Sequence, residues 1–238
     1  MEQKNFTRGL AFTLLFAALG TIANFIPLAK ILGMQGSTFS AFDLIAPIPV
    51  AFLGLSSGLA AILIAKLSAG IATGAAMDAS TFLRLLPPLG AGLFFWSYKH
   101  DMKHSILIQA AIPALAMVAF IFNPAIFGTS AMAYALFWLI PIAVIFLPDY
   151  TYLRSLGATF CQHAIGSVLF LYTIPALQNP QIWLALIPIV VVERLLFALG
   201  ITISFKAIAL MYDKFHFVIR TQNNSPSPMP APQKKEKN

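Results

Sequence analysis

Long apolar runs, separated by short polar turns, extend over nearly the whole chain and end near residue 220. A helix needs about 20 mainly apolar residues to cross the hydrocarbon core of a bilayer, and most runs reach about that length. The alternating apolar and polar residues of a membrane barrel strand do not occur in them, and in lipid only a helix otherwise satisfies the backbone. The pattern therefore predicts an all-α, polytopic transmembrane bundle of about eight spans, with six as the lower limit.

The ends of the apolar runs define the predicted spans. They cover residues 10–28, 38–55, 58–76, 81–98, 105–122, 130–147, 155–174 and 182–206. Prolines within or beside these runs predict kinks that free backbone carbonyls without abolishing the spans. These prolines are Pro47, Pro49, Pro87, Pro88, Pro113, Pro141 and Pro188.

The distribution of lysine and arginine predicts the orientation. Cations lie before the first span, in the turns after the fourth and sixth spans, and after the eighth, and they include Lys4, Arg8, Lys99 and Arg154. The turns on the other side hold only Lys30. Because positive charge accumulates on the cytoplasmic side, we expect both termini to be cytoplasmic in a multi-pass protein of the plasma membrane.

Composition agrees with a lipid environment, since 59% of the residues are hydrophobic, 10% are charged and the mean hydropathy is +0.82. In a soluble protein the net charge of +7 would suggest nucleic acid. Here the excess lies mainly in the cytoplasmic flanks and the tail, where it meets anionic lipid, and we expect no nucleic-acid partner. The tail, residues 221–238, is rich in Pro, Ser and Lys, which predicts a disordered cytoplasmic segment after a transmembrane domain of residues 1–220.

Motifs for catalysis give little support to an enzyme. The chain has no Walker A loop, no H-E-x-x-H and no C-x-x-C. Its single cysteine, Cys161, forms neither an internal disulfide nor a metal cluster, and we expect no cofactor and no metal. If the chain moves a solute, the energy must come from an ion gradient or from another subunit.

Ionisable and polar side chains inside the apolar runs are the strongest functional signal, because a charge near the bilayer centre costs about 2.5–3.5 kcal/mol on insertion scales. With a helical rise of about 1.5 Å per residue, five of them share one level near the midplane. They are Lys66, Gln162, His163, Glu193 and Arg194. A second layer at the outer span ends holds Asp43, Asp78 and Arg84.

Two interpretations of these layers stay open. One is an internal ion pair, for example between Lys66 and Glu193, and the other is a ligand cavity, with which such a pair is compatible. Arg194 is the best candidate to contact a carboxylate or phosphate, because its planar fork binds both oxygens. Taken by itself, His163 is favoured as a hydrogen-bonded packing residue over a metal ligand, because no second ligand has suitable spacing. Candidate substrate-binding residues are Lys66, Arg84, Gln162, His163, Glu193 and Arg194, with Trp138 placed to stack on a planar ring.

Small residues recur every four positions in the first span, at Gly9, Thr13, Ala17 and Thr21. This spacing places them on one helix face, where another helix can approach closely. The partner is either a helix of the same chain or a separate docking subunit.

Together with this strip, the polar stretch GMQGSTFSAFDL before a short second span and the turn F-L-G-L-S-S-G-L-A-A give residues 8–98 a family resemblance. This part of the chain resembles the substrate-binding S components of energy-coupling-factor vitamin transporters. The resemblance implies capture of a vitamin or related micronutrient from outside, with a membrane coupling subunit and two ABC-type ATPases as partners. It also implies that the strip contacts the coupling subunit and that the loop 33–42 covers the site.

Three functional hypotheses follow. The first is a substrate-capture subunit of an ATP-driven uptake transporter. The second is a stand-alone, ion-coupled secondary transporter, favoured if Lys66, His163 and Glu193 form a proton relay. The third is a membrane-embedded enzyme or a non-catalytic scaffold of an envelope complex.

Overall fold

The computed structural model describes residues 2–30, 38–76, 78–98 and 103–223, and these residues are mostly helical, which confirms the all-α class. The helices are α1 Glu2–Asn24, α2 Pro49–Leu53, α3 Leu55–Ala72, α4 Ala79–Leu83, α5 Leu86–Ser97, α6 Lys103–Ile121, α7 Leu139–Val144, α8 Thr151–Thr173 and α9 Pro180–Asn223. Two short antiparallel strands, β1 Pro27–Lys30 and β2 Thr38–Ser40, follow α1. Short 3-10 helices cover Ala41–Leu44, Ser130–Trp138 and Pro175–Gln178.

Among the described residues, two helical segments are long and apolar enough to cross a membrane. They are Leu55–Ala72, with 18 residues and a mean hydropathy of 1.7, and Pro180–Met211, with 32 residues and a mean hydropathy of 2.3. The shorter apolar segments Gly9–Asn24, Ser105–Ile121 and Ser130–Val144 fall below that length. Length and composition thus support membrane association weakly, and the eight-span arrangement stays a prediction.

Three of the predicted spans are interrupted in the structure. Residues 38–55 form β2, a 3-10 helix and α2, residues 81–98 contain parts of α4 and α5, and residues 130–147 form a 3-10 helix followed by α7. Pro49 begins α2, and Pro87 lies in the first turn of α5. Proline has no backbone N–H and a fixed φ, so the first turn of a helix accepts it readily. Pro113 and Pro188, in contrast, lie inside α6 and α9 and do not end these helices.

Small residues allow α1, α2 and α3 to pack closely. A Cβ added at Gly20 of α1 would lie 2.8 Å from the Cβ of Ala65 in α3, and one at Gly58 would collide with the backbone of Val50 in α2. Thr13 and Ala17 of the predicted docking strip are buried, whereas Gly9 is exposed. Much of the strip is therefore used for packing within the chain.

Helix α8 lies at the centre of the remaining packing, against α5, α6 and α7. About half of its residues are buried, including the polar residues Arg154, Thr159, Gln162 and Ser167. An aromatic cluster forms beside it from Phe120, Tyr134, Trp138 and Trp183. The polar positions of α8 therefore point into the protein.

By its internal contacts the chain divides into two units, Met1–Ser204 and Phe205–Asn238. The described part of the second unit is helical and consists of residues 205–223. Both cavities discussed below belong to the first unit. The predicted domain boundary at residue 220 stays a prediction, and most of the predicted tail, residues 224–238, lies outside the described residues.

Candidate functional site

A cavity of about 110 Å³ lies between α8 and α9, and β2, α5 and two 3-10 helices complete its wall. Its wall is mainly apolar and aromatic, with a few polar groups, as in most sites for small molecules, but its volume is below the roughly 300–1,000 Å³ of such sites. The lining residues are Phe39, Pro87, Tyr134, Gln162, His163, Gly166, Ser167, Phe170, Leu177, Trp183, Leu186, Ile189, Val190, Glu193 and Arg194. We call it the capture cavity.

Arg194 is the most unusual group in this wall, because only 1% of its side chain is exposed. Its guanidinium lies against the rings of Phe39 and Phe197, 4.7 Å and 4.6 Å from their centroids, and these two rings also contact each other edge to face. Nη1 donates to Thr159 Oγ1 at 3.3 Å, but Nε has no hydrogen-bond partner. Buried donors nearly always have partners, and Arg154 Nε is also buried without one, so it is the position of Arg194 on the cavity wall that makes its open donor a candidate site.

Glu193 supplies the counter-charge. Its Oε2 lies 2.9 Å from Arg194 Nη2, although Nη2 meets no acceptor with hydrogen-bond geometry. We therefore treat the contact as an ion pair without a formed hydrogen bond. The Glu193 side chain is 17% exposed, so it keeps partial access to the cavity. The structure thus pairs Glu193 with its neighbour, and not with Lys66 as in one interpretation of the sequence.

His163 belongs to a chain of hydrogen bonds that fixes its tautomer. Trp138 Nε1 donates to His163 Nδ1 at 3.4 Å, so Nδ1 carries no proton. The imidazole proton then lies on Nε2, which is 2.8 Å from Tyr134 Oη and donates to it. Tyr134 keeps its own hydroxyl proton, which is free to reach Ser167 or a bound molecule. The predicted packing role of His163 is thus combined with the positioning of a cavity donor.

Gln162 connects the cavity wall to the segment after β2. Its Nε2 donates to Asp43 Oδ1 at 2.7 Å, and the backbone N–H of Ser40 donates to Asp43 Oδ2 at 2.9 Å. Asp43 is 7% exposed, so both of its oxygens are satisfied in a buried position. With its amide nitrogen engaged in this way, Gln162 retains Oε1 as an acceptor.

Lys66 and Arg84 line a different cavity, of about 250 Å³, beside the ends of α1, α3 and α4. Its other lining residues are Asn24, Phe25, Ala69, Gly70, Thr73, Ala75, Thr81 and Leu85. Lys66 Nζ donates to Asn24 Oδ1 at 2.8 Å and lies 4.7 Å from the centroid of the Phe42 ring. We call this the cationic cavity. The sequence candidates therefore separate into two groups.

Comparison with known proteins gives no match. No protein-family model, curated protein or solved structure matches the chain. The resemblance of residues 8–98 to S components therefore stays a prediction from the sequence.

The aromatic lining of the capture cavity differs from the sequence prediction at Trp138. Trp138 does not line it, because the indole is fully buried behind the wall, 5.1 Å from the Phe120 ring centroid and in contact with His163. Trp183 lines the cavity instead, although its place near a predicted span end is typical of a membrane interface. Phe39 was indicated only through the loop 33–42, which the resemblance places over the site.

Two further features bear on catalysis. Residues 54–58 read G-L-S-S-G, which is the G-x-S-x-G spacing of a nucleophile elbow, but helix α2 precedes the turn where such an elbow requires a strand. Ser56 is also exposed at the start of α3, away from the residues of either cavity. Within the described residues, no three His, Cys, Asp or Glu side chains are grouped to hold a metal ion.

Proposed function

We propose that this chain is the membrane-embedded substrate-capture subunit of an ATP-driven uptake transporter for a vitamin or related micronutrient. The observation that supports it most is the apolar cavity at whose wall a fully buried arginine, Arg194, retains an open donor. Such a site binds and holds a solute without offering a reactive group. In this proposal both termini are cytoplasmic and eight segments cross the bilayer.

Exposed apolar surface supports the bilayer as the surroundings. Large hydrophobic side chains are exposed along α1 and α9, among them Leu14, Ile22, Val192, Leu196 and Leu199. Water-soluble monomers rarely expose continuous apolar surface of this kind. Lipid around the bundle would remove the free-energy cost of exposing these side chains to water.

The proposed orientation gives the capture cavity access from outside. Phe39, Leu177 and Trp183 lie in or next to segments assigned to the outer side, and Gln162 and Arg194 lie deeper. A solute would enter past the aromatic residues and place its polar end against the deeper groups. Phe39 and Arg194 both line the cavity, and the Phe39 ring centroid lies 4.7 Å from the guanidinium.

Polar groups of the wall favour a particular ligand chemistry. Tyr134 offers a hydroxyl proton and Arg194 offers guanidinium protons, whereas Gln162 Oε1 and the Glu193 carboxylate are acceptors. Because Glu193 offsets the charge of Arg194, the wall has no strong net charge. We infer a solute with a mainly apolar, planar body and one polar edge that carries both donors and acceptors.

The ion-coupled alternative receives less support from the same geometry. A proton relay requires Lys66, His163 and Glu193 to approach one another. Lys66 instead bonds to Asn24 in the cationic cavity, and His163 is held between Trp138 and Tyr134. Energy supplied by separate ATPases needs no such relay.

Docking of a coupling subunit on α1 is restricted by the packing within the chain. Thr13 and Ala17 are buried, so a separate subunit would reach the strip at Gly9, near the predicted cytoplasmic end. The neighbouring exposed leucines, Leu10 and Leu14, would extend such a contact.

Purification from a native host tests the capture function. We expect the wild-type chain in detergent to retain a small molecule that mass spectrometry identifies, and Arg194→Lys to lose most of it, because lysine lacks the planar fork. Arg154→Lys is the matched control, since Arg154 is also buried, paired with Asp149 and stacked on aromatic rings, but lies outside the cavity.

Reconstitution separates capture from transport. The chain alone in liposomes should not accumulate the identified solute, whereas uptake should require a coupling subunit and ATP hydrolysis. Accumulation by the chain alone, driven by an ion gradient, would contradict the proposal. So would equal ligand retention by the Arg194→Lys and wild-type proteins.

A further inference from the structure

We propose that the cationic cavity is a second binding site, which takes a phosphate group and is separate from the capture cavity. The two cavities share no lining residue among the described parts of the chain. The inference therefore goes beyond the capture function and does not depend on it.

Charge is the first reason. Lys66 and Arg84 both line the cationic cavity, and no acidic residue does so among its described lining residues. Lys66 forms no ion pair within 4.0 Å in the described structure. The nearby acid Asp43, which attracts Lys66 electrostatically, has its oxygens bonded by Gln162 and by the Ser40 backbone.

Donor capacity is the second reason. An ammonium group has three protons to donate, and the Lys66 Nζ has one hydrogen-bond acceptor in the described structure, Asn24 Oδ1. Thr73 and Thr81 also line the cavity, but their hydroxyls already donate to backbone carbonyls. The protons left for a bound group are therefore those of the two cations.

Access and shape favour a phosphate over a simple monovalent ion. Arg84 is exposed and Lys66 is half-buried, and both side chains line the one cavity. A planar fork and a compact ammonium together bind several oxygens of one dianionic group. At about 250 Å³ the cavity also has room for atoms beyond the phosphate itself.

Phosphate can reach this site from two sources, a soluble phosphate compound or the headgroup of an anionic phospholipid. Ile71, Phe82 and Leu86 are exposed and are close in sequence to residues that line the cavity, so they are suited to contact acyl chains. The chemistry that recognises the group is the same in both cases.

Binding to the full-length purified protein tests the site. In the first arm, pyrophosphate is titrated at constant ionic strength while the melting temperature is recorded. In the second, the protein is incorporated into nanodiscs of phosphatidylcholine with or without phosphatidylglycerol, and native mass spectrometry measures retained lipid. Arg84→Gln and Lys66→Met are compared with Lys206→Gln, which removes an exposed lysine.

In at least one arm we expect saturable binding that both site variants weaken by about tenfold or more and that Lys206→Gln leaves unchanged. Binding of pyrophosphate alone would identify a soluble source, and retention of phosphatidylglycerol alone would identify a lipid. Arg84→Gln changes an exposed side chain and should fold even if Lys66→Met does not. If wild-type and Arg84→Gln proteins bind both probes equally, the proposal is overturned.

Discussion

Removing the charge of Arg194 separates its contribution to stability from its contribution to binding. Methionine has a similar length and no charge. Arg194→Met loses a long bond to Thr159 and two contacts with aromatic rings, each worth about 0.5–2 kcal/mol. It also leaves Glu193 without its partner. Against this, a buried cation with an open donor is removed, and its desolvation cost of several kcal/mol is relieved.

The exposure of Glu193 decides the balance. A fully buried partner left alone would cost about 3–5 kcal/mol, but the Glu193 side chain is 17% exposed and water can partly solvate it. We therefore expect Arg194→Met to destabilise the protein by about 1–3 kcal/mol. The double variant Glu193→Gln with Arg194→Met removes both charges and should return to within about 1 kcal/mol of the wild type.

Thermal unfolding in one detergent, at one scan rate, measures these differences. A change of 1 kcal/mol should move the melting temperature by about 2–4 °C for a chain of this size. Ligand retention is measured on the same samples and should be lost in both variants. If the double variant is less stable than Arg194→Met, the pair stabilises the fold and the reasoning fails. If the double variant still retains ligand, Arg194 does not bind it.

Three other changes test the surrounding structure. Gln162→Leu leaves an oxygen of buried Asp43 without a donor and should lower the free energy of unfolding by about 1–3 kcal/mol, measured by denaturant titration. Gly58→Ala should cost a similar amount, about 1–3 kcal/mol, because α2 blocks the added methyl, whereas Gly9→Ala, with open space, should not. The backbone N–H of Thr81 donates to the Asp78 carboxylate and lowers its pKa below the usual 3.8. The ionised carboxylate therefore stabilises the start of α4 above that pH, and this stabilisation is lost as the pH falls through the lowered pKa. The melting temperatures of wild type and Asp78→Ala should converge in acid.

The apolar runs predicted the helical class because an unbroken run in lipid has no alternative to helix. They also located most of the elements, since five of the predicted spans overlap one long helix each and the other three are divided into shorter elements. The breaks themselves were less clear from the sequence. Prolines such as Pro49 and Pro87 indicated where a helix is disturbed, but whether a kink or a new helix start results depends on packing with neighbours.

The depth along the bilayer normal, estimated from the sequence, predicted only part of the site correctly. Glu193 and Arg194 are neighbours on α9, and Gln162 and His163 are neighbours on α8, so the packing of α8 and α9 around one cavity places all four on its wall. Lys66 has a similar estimated depth but lies on α3. Depth gives one coordinate, and the order and rotation of helices around the bundle, which separate Lys66 from the others, leave no trace in hydropathy.

Asp43 links the two cavities electrostatically, although they share no lining residue among the described residues. It is a buried carboxylate whose oxygens accept from Gln162, on the wall of the capture cavity, and from the Ser40 backbone, next to Phe39. On its other side it attracts Lys66, on the wall of the cationic cavity. Removing Lys66 therefore changes the electrostatic surroundings of Asp43 and, through it, of Gln162. Arg84 is exposed and its charge acts on Asp78, the N-cap of α4, so its replacement tests the cationic cavity with no recorded effect on Asp43 and Gln162.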